Sequence, residues 1–196
     1  QRFLINNSVP LIAETNTAQF TTNRSVIYLS GYATNIFSAL NPCAVYLQTN
    51  LAGSLFQIAN LSLTEWATNF DTTTLLDGTN VFTFFAVSSN SRTNSFVLTN
   101  IVDNSPPFSA ITNLTDGQIL PSNYTFRGTN YDNFSDIIHV RLLLSNAAGT
   151  VFTNAATFNN ATFSFAWDNS LFADGTYWAW VVSTNYVGLS YTSASI

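Results

Sequence analysis

Short runs of alternating apolar and polar residues fill the chain, and each run is bounded by Asn, Asp, Gly or Ser. Two of the clearest are SVIYLSGYA at 25–33 and NYTFRGTN at 123–130. Alternation with a period of two predicts β-strands that bury one face. The best helix candidate is SLTEWATNF at 62–70, but its Thr and Asn content favours a strand. The pattern therefore predicts an all-β protein.

The pattern repeats along the chain with an offset of 97 residues. This offset places NSVPLIAETN at 7–16 over NSPPFSAITN at 104–113. Further aligned pairs are Gly31 and Gly128, Asp71 and Asp168, and the Asp-Gly-Thr segments 77–79 and 174–176. Because one period covers nearly the whole chain, the sequence predicts a duplicated domain.

Each copy divides into about seven short strands that are rich in aromatic and β-branched residues, which is typical of an immunoglobulin-like β-sandwich. Asn-X-Ala-Gly segments at 50–53 and 146–149 predict hairpin turns. We expect Ig-like domain 1 at 8–103 and Ig-like domain 2 at 104–196, with 1–7 as an N-terminal extension or strand tail. Pro106 and Pro107 stiffen the linker between the domains, since proline restricts its own backbone and that of the preceding residue.

The second copy carries NSPPFSAITNLTDGQIL, FRGTNYDN with a glycine expected in a turn, FSFAWDNSLFADGTYWAWVVSTNYVG, and the closing YTSASI. With these segments it resembles the bacterial Ig-like domains that are strung in tandem in large secreted and cell-surface proteins. The first copy shares the resemblance more loosely. The resemblance implies two tandem Ig-like β-sandwich domains, an extracellular or cell-surface location, and a spacer, adhesive or assembly module without catalysis.

The repeated Asp-Gly-Thr segment has a structural explanation in this fold. Asp174 and Gly175 form the tight turn that enters the next strand. Tyr177 follows at the position where such sandwiches place a tyrosine whose hydroxyl bonds back to nearby backbone. The first copy has Asn80 at this position, so the tyrosine contact is absent or replaced there.

Charged residues make up only 8% of the 196 residues, against about 25% in typical soluble proteins. The chain has no lysine, so Asn, Thr and Ser must build its polar surface. A net charge of −5 without a basic run argues against a nucleic-acid partner. No apolar stretch reaches the roughly 18 residues that a membrane span requires.

Residues with catalytic chemistry are few and scattered, so we expect no enzyme and no cofactor. His139 is the only histidine, and Cys43, the only cysteine, is expected to be a small buried hydrophobe. An enzyme would require acids such as Asp71 and Asp132 to converge in a cleft, and the repeat makes this unfavourable. Calcium is the alternative cofactor, with candidate oxygen ligands at Asp103, Asn104, Asp132, Asn133 and Asp136.

Seven Asn-X-Ser/Thr sequons offer glycosylation candidates, although many such sequons arise by chance in a chain rich in Asn and Thr. They begin at Asn6, Asn23, Asn60, Asn113, Asn123, Asn133 and Asn160.

Two tryptophans in YWAWVVS, at 177–183, are the leading candidates for an interaction surface. If Tyr177 and Ala179 face the core, strand alternation places Trp178 and Trp180 on the opposite face. The corresponding strand of the first copy carries Phe85. Three interpretations stay open, namely burial within the domain, packing against another subunit, and stacking on sugar rings.

The function expected from the sequence is a non-catalytic extracellular structural or surface module, whose partners are like subunits or neighbouring Ig-like domains. The alternative is a carbohydrate- or ligand-binding accessory or adhesin module that binds surface glycans. Phe3, Leu4 and Ile5 are further interface candidates, because residues 1–6 overlay the end of a last strand while Ile196 overlays Ile101. Either the chain is a segment of a longer tandem array, or residues 1–6 complete a neighbouring subunit's sheet and build a filament.

Overall fold

A computed structural model describes residues 7–15, 22–35, 43–50, 55–149, 151–170 and 172–196. The chain divides into two compact units, Gln1–Asn104 and Ser105–Ile196. Within the described ranges, strands form all of the regular structure except one 3₁₀ turn at Thr72–Thr74. The all-β prediction is confirmed.

The described residues of unit 1 form eight strands in two sheets. One sheet has the order β1-β3-β6 and the other has the order β2-β8-β7-β4-β5. All pairs are antiparallel except β2 with β8, which is parallel. The strands are β1 Leu11–Glu14, β2 Thr22–Asn23, β3 Val26–Thr34, β4 Ala44–Thr49, β5 Phe56–Ile58, β6 Glu65–Asp71, β7 Gly78–Val87 and β8 Thr93–Val102.

In unit 2 the residues that the structure describes also form eight strands in two sheets, and all of their pairs are antiparallel. The orders are β13-β14-β10-β9 and β12-β11-β15-β16. The strands are β9 Phe108–Ile111, β10 Asn123–Tyr131, β11 Ile137–Asn146, β12 Val151–Ala155, β13 Thr157–Phe158, β14 Thr162–Asp168, β15 Tyr177–Asn185 and β16 Ser190–Thr192.

Each unit encloses its own aromatic core between its two sheets. In unit 1 the Trp66 ring stacks on Phe84 at 4.9 Å between centroids. In unit 2 the Trp167 ring packs edge-on against Phe172 at 5.1 Å. Both cores combine buried residues from the two facing sheets, which makes each unit a β-sandwich. The predicted fold class, two tandem immunoglobulin-like β-sandwiches, is therefore confirmed.

Two local predictions are confirmed as well. Residues Glu65–Asp71 form strand β6 and not a helix. In unit 2 the turn after Asn146 joins β11 to β12 as a hairpin, with the Gly149 N–H bonding the Asn146 carbonyl at 2.9 Å. Gly149 has a φ of 77°, a left-handed conformation that glycine adopts without steric cost.

The prediction of a glycine turn at 126–133 is wrong. Gly128 lies inside β10, and its counterpart Gly31 lies inside β3. A Cβ atom at Gly128 would lie 2.2 Å from the Ala110 carbonyl oxygen and 2.3 Å from the Phe163 ring. At Gly31 it would lie 2.0 Å from the carbonyl oxygen of Ala13. Both glycines are therefore required by the close approach of a neighbouring backbone.

The predicted overlay of Ile196 on Ile101 is also wrong. The Ile196 N–H and carbonyl both bond Ala179 at 2.9 Å. The repeat counterpart of Ala179 is Phe82, which pairs with Leu98. Ser193 pairs with Val181 two residues further along β15, so an extra residue lies between Ser193 and Ile196. Thr192 already pairs with Val182, two residues further along β15 than its predicted overlay on Val97 requires, and the bulge displaces Ile196 by one residue more.

Candidate functional site

Strand β15 places Trp178 and Trp180 on the outer face of its sheet. Ala179 and Val181 are buried in the core, whereas Trp178 is 40% exposed and Trp180 is half-buried. The alternation predicted for this strand is therefore present.

Neighbouring strands complete the surface around the two tryptophans. Trp180 is paired with Leu143, and Trp178 is paired with Ser145. The adjacent strand β12 adds the exposed side chains of Val151 and Thr153. We call these six residues the tryptophan face. Aromatic rings beside hydroxyl groups can stack on a sugar ring or pack against a protein surface.

The counterparts of Trp178 and Trp180 in unit 1 are Val81 and Thr83, whereas Phe85 corresponds to Val182 and lies half-buried on the outer face of β7. It is flanked by Tyr46 on β4 and by Ser95 on β8. Unit 1 therefore presents Phe85 and Tyr46 on this face in place of the two tryptophans.

The hydroxyl of Tyr177 donates a hydrogen bond to the Ala173 carbonyl at 3.0 Å, so the predicted tyrosine contact is confirmed. In unit 1 the side-chain amide of Asn80 donates to the Leu76 carbonyl at 2.8 Å and to the Gly78 carbonyl at 3.0 Å. Leu76 is the repeat counterpart of Ala173. The contact is therefore replaced in unit 1, and the same backbone acceptor is bound.

The candidate calcium ligands in unit 2 bind protein donors. One Asp132 oxygen accepts the N–H groups of Phe134 at 2.9 Å and Ser135 at 3.1 Å. The other accepts the side-chain amide of the buried Asn185 at 3.0 Å. Asp136 accepts the side-chain amide of Asn160. The Asp132 carboxylate thus holds its loop against the end of strand β15, and the Asp136 carboxylate holds the loop between β13 and β14.

The candidate ligands in unit 1 are anchored in the same way. The Asn104 N–H donates to the Asp77 carboxylate at 2.7 Å, and its side-chain amide donates to the Thr72 carbonyl at 3.0 Å. Asp103 is buried, and its N–H bonds the Asn23 carbonyl at 3.0 Å. Among the residues that the structure describes, no group of three or more His, Cys, Asp and Glu is placed to hold a metal ion. The absence of a cofactor, with calcium binding as its alternative, stays a prediction.

The remaining reactive side chains serve structural roles or lie alone. Cys43 is buried, and burial raises the pKa of its thiol, which keeps the thiol neutral. His139 is exposed on β11 opposite Thr184. Asp71 accepts the Thr73 N–H at 2.9 Å and caps the 3₁₀ turn.

Asp168 repeats this arrangement in unit 2 by accepting the Ser170 N–H at 2.9 Å. The backbone N–H of Thr73, followed by its hydroxyl, lowers the pKa of Asp71. The backbone N–H of Ser170, followed by its hydroxyl, lowers the pKa of Asp168. Both carboxylates therefore stabilise turns in their ionised form.

The sequon asparagines fall into three groups. Asn6, together with Phe3, Leu4 and Ile5, lies outside the described residues. Asn123 and Asn133 are exposed. The side-chain amides of the others donate hydrogen bonds within the fold, namely those of Asn23, Asn60, Asn113 and Asn160. Glycosylation stays a prediction.

Sequence reasoning missed an open groove on the outer face of the β13-β14-β10-β9 sheet. Its volume is about 440 Å³, and Arg127 lies in it among threonine and serine side chains. The signal in the sequence was Arg127, a rare cationic residue at an outward-facing position of a strand in which apolar and polar residues alternate. Only the strand order brings the other lining residues beside it.

A comparison with protein-family models found no match, and a comparison with curated protein sequences found none. A structure described as concerning host cell surface retention of a 1.5-MDa bacterial ice-binding adhesin is similar in fold, with a TM-score of 0.54 and 15% identity. The alignment covers 97% of this chain and 64% of that one. This similarity extends over both units and supports the sandwich fold.

Two further structures have lower TM-scores. The fibronectin(III)-like modules of Clostridium thermocellum CbhA match at TM-score 0.43 and 13% identity, over 94% of this chain and 91% of that chain. A tetra-tandem repeat from the extending region of a large adhesion protein matches at 0.40 and 17% identity, over 96% and 49%. The chain thus spans about half of that repeat structure.

The described part of the chain contains no helix with the length and apolar character that crossing a bilayer requires.

Proposed function

We propose that the chain is a non-catalytic structural module of an extracellular or cell-surface protein, in which Ig-like sandwiches are joined in tandem as spacers. The observation that carries the proposal is that the two units share three structural features. Both units keep an aromatic core, a strand glycine under a neighbouring backbone and a capped carbonyl at the same corner. Asp71 and its counterpart Asp168 are engaged in turns in both units.

The low charge of the surface supports the same setting. A surface of Asn, Thr and Ser presents neutral hydrogen-bonding groups, which give little long-range electrostatic attraction to charged partners. The similarity to a bacterial adhesin structure supports a tandem arrangement as far as fold is concerned. We therefore regard the chain as a segment of a longer array of such domains.

Single-molecule force spectroscopy of the chain, held between two well-characterised domains, tests the spacer function. We expect two unfolding events, one for Gln1–Asn104 and one for Ser105–Ile196. Each should lengthen the chain by roughly 30 nm, because an extended residue spans about 3.4 Å. Extension without resolvable steps would contradict a load-bearing role. Gly128→Ala serves as a control that should weaken only the second unit.

A binding function at the tryptophan face is the second candidate, because Trp178 is 40% exposed beside hydroxyl-bearing neighbours. The rings would stack on the apolar faces of sugars. In a glycan-array measurement, Trp178→Ala and Trp180→Ala should abolish binding. Phe85→Ala is the matched control on the other unit and should leave it unchanged. Silence of the wild-type chain across the array would favour the structural function alone.

Assembly through residues 1–6 is a separate part of the proposal. Sedimentation at high protein concentration compares the oligomeric state of the full chain with that of a variant that lacks residues 1–6. End-to-end association that disappears with the deletion would support strand addition to a neighbouring sheet. A strictly monomeric full chain would contradict it.

A further inference from the structure

The open groove on unit 2 lies across three strands of one sheet, β10, β14 and β13, and Thr112, which follows β9, lines it as well. Arg127 on β10 lies opposite Ser164 on β14, which in turn lies opposite Thr157 on β13. In the parallel row of outward positions, Thr129 lies opposite Thr162. The groove therefore runs across the strands, with its floor on the backbone of Gly128 and Phe163 between the two rows.

The walls of the groove offer neutral polar groups. The hydroxyls of Thr129, Thr157 and Ser164 make no hydrogen bond to any residue that the structure describes. The Asn159 side-chain oxygen accepts from the N–H groups of Ala161 and Thr162, which turns its amide nitrogen away from those bonds. These groups can donate to and accept from a polyhydroxylated ligand.

Among the described residues that line this groove, Arg127 is the only cation and none is an acid. Its backbone is held by Asn113 and Thr112, but its guanidinium has no ion pair or hydrogen bond within the described residues. The side chain is exposed on a protein with a net charge of −5. An unpaired guanidinium in a concave surface is a site for a carboxylate, which its planar donors can bind in a bidentate manner.

The fold does not require these residues, because unit 1 lacks them. The repeat counterparts of Arg127 and Thr129 are Ser30 and Tyr32. The counterpart of Thr162 is Glu65, which brings an acid to the equivalent face. The cationic, hydroxyl-lined groove therefore belongs to unit 2 alone.

We propose that this groove binds an oligosaccharide that carries carboxylate groups. Arg127 holds a carboxylate, while Thr129, Thr157 and Ser164 bond the sugar hydroxyls. An extended sugar chain fits an open groove across strands better than a peptide does, because peptides pair along strand edges and need apolar pockets for their side chains. The groove and the tryptophan face lie on different sheets of unit 2. A test of binding in the groove is therefore independent of the proposed function.

Titration of the full chain with trigalacturonate at low salt tests the proposal, with binding followed by calorimetry and amide chemical shifts. We expect shifts at Arg127, Thr129 and Thr162, and weaker binding as salt screens the charges. Arg127→Gln should weaken binding at least about tenfold, because it removes a charged hydrogen bond. The matched control is Arg141→Gln, which removes the same charge from an exposed position on β11 and should bind as the wild type.

The methyl ester of the same sugar separates charge from shape and should bind far more weakly than the acid. Equal binding of acid and ester, wild-type affinity in Arg127→Gln, or no binding of trigalacturonate would each overturn the proposal. So would tighter binding of an acidic peptide. Melting curves of both variants confirm that the fold is intact, since only side chains on the outer faces change.

Discussion

Asn80 and Tyr177 occupy the same position in the two repeats, and they bind corresponding carbonyls with different groups. The phenol reaches the Ala173 carbonyl from a partly exposed position. The amide of Asn80 reaches the carbonyls of Leu76 and Gly78 from a buried position. The hydrogen bond at this corner is thus preserved although the residue is not.

Tyr177→Phe should lower the free energy of unfolding of unit 2 by about 1 kcal/mol, since it removes one hydrogen bond and keeps the ring. Asn80→Ala should cost unit 1 about 2 kcal/mol, because the residue is buried and leaves two acceptors without this donor. Urea titrations of both variants measure these changes. Tyr186→Phe is the control, because Tyr186 is exposed; an equal loss there would contradict the assignment.

Ser183 shows the opposite situation, a buried hydroxyl without a partner among the described residues. Its repeat counterpart is Ala86, which is also buried. Ser183→Ala should therefore stabilise unit 2 by about 1 kcal/mol, because it removes the desolvation cost of an unpaired polar group. Thermal melting measures the gain. A lower melting temperature would show that an internal water or another group bonds the hydroxyl.

The lowered pKa values of Asp71 and Asp168 predict how the stability of the fold depends on pH. Their pKa values are lowered in the folded chain by the N–H and hydroxyl groups of Thr73 and Ser170, so they stabilise it above the unfolded-state pKa of about 3.9. This contribution should disappear as the pH falls through the lower, folded-state pKa values. Melting temperatures measured from pH 7 to about pH 2 should fall less steeply for Asp71→Asn and Asp168→Asn. A slope equal to that of the wild type in both variants would contradict this explanation.

The strands β3 and β10 depend on a glycine that lets a neighbouring strand and an aromatic ring approach closely. Gly128→Ala should destabilise unit 2 by about 3 kcal/mol, because the new methyl group would meet the Ala110 carbonyl at 2.2 Å and the Phe163 ring at 2.3 Å. Hydrogen exchange should show loss of protection in β9 and β10. Thr129→Ala, on the outer face of the same strand, should change stability little; a loss equal to that of Gly128→Ala would contradict the steric explanation.

The strands themselves could be predicted because alternation records which face of a sheet is buried. It identified β3, β6 and β15 and the outward direction of Trp178. The role of Gly128 could not be predicted, because a glycine reads as a turn unless the backbone lying beside it is known. The bulge before Ile196 escaped for a similar reason, since the register of a strand depends on its partner.

The whole chain should melt identically in calcium and in excess chelator. Asp132 already accepts three protein donors, and Asp136 accepts the Asn160 amide. An ion would have to displace these bonds, and any binding would raise the melting temperature with concentration. Calorimetry in the two buffers checks this. A higher melting temperature in calcium would restore the calcium alternative.

The tandem organisation could be predicted because the two repeats have similar residues at a constant offset along the sequence. The groove could not, because its lining comes from segments between Thr112 and Ser164 that only the strand order brings together. Arg127 also belongs to no sequence motif that would mark it as part of a site. The tryptophan face could be predicted in part. One strand supplies both of its rings, whereas two other strands supply its surroundings.

The exchange of Tyr177 for Asn80 bears on the ancestry of the two halves. Within this chain the hydrogen bond to the backbone at this corner is kept, while the side chain that donates it differs. A signature built on the tyrosine would recover the second half and overlook the first. Distant members of such lineages are therefore better recognised by the acceptor that must be capped than by the residue that caps it.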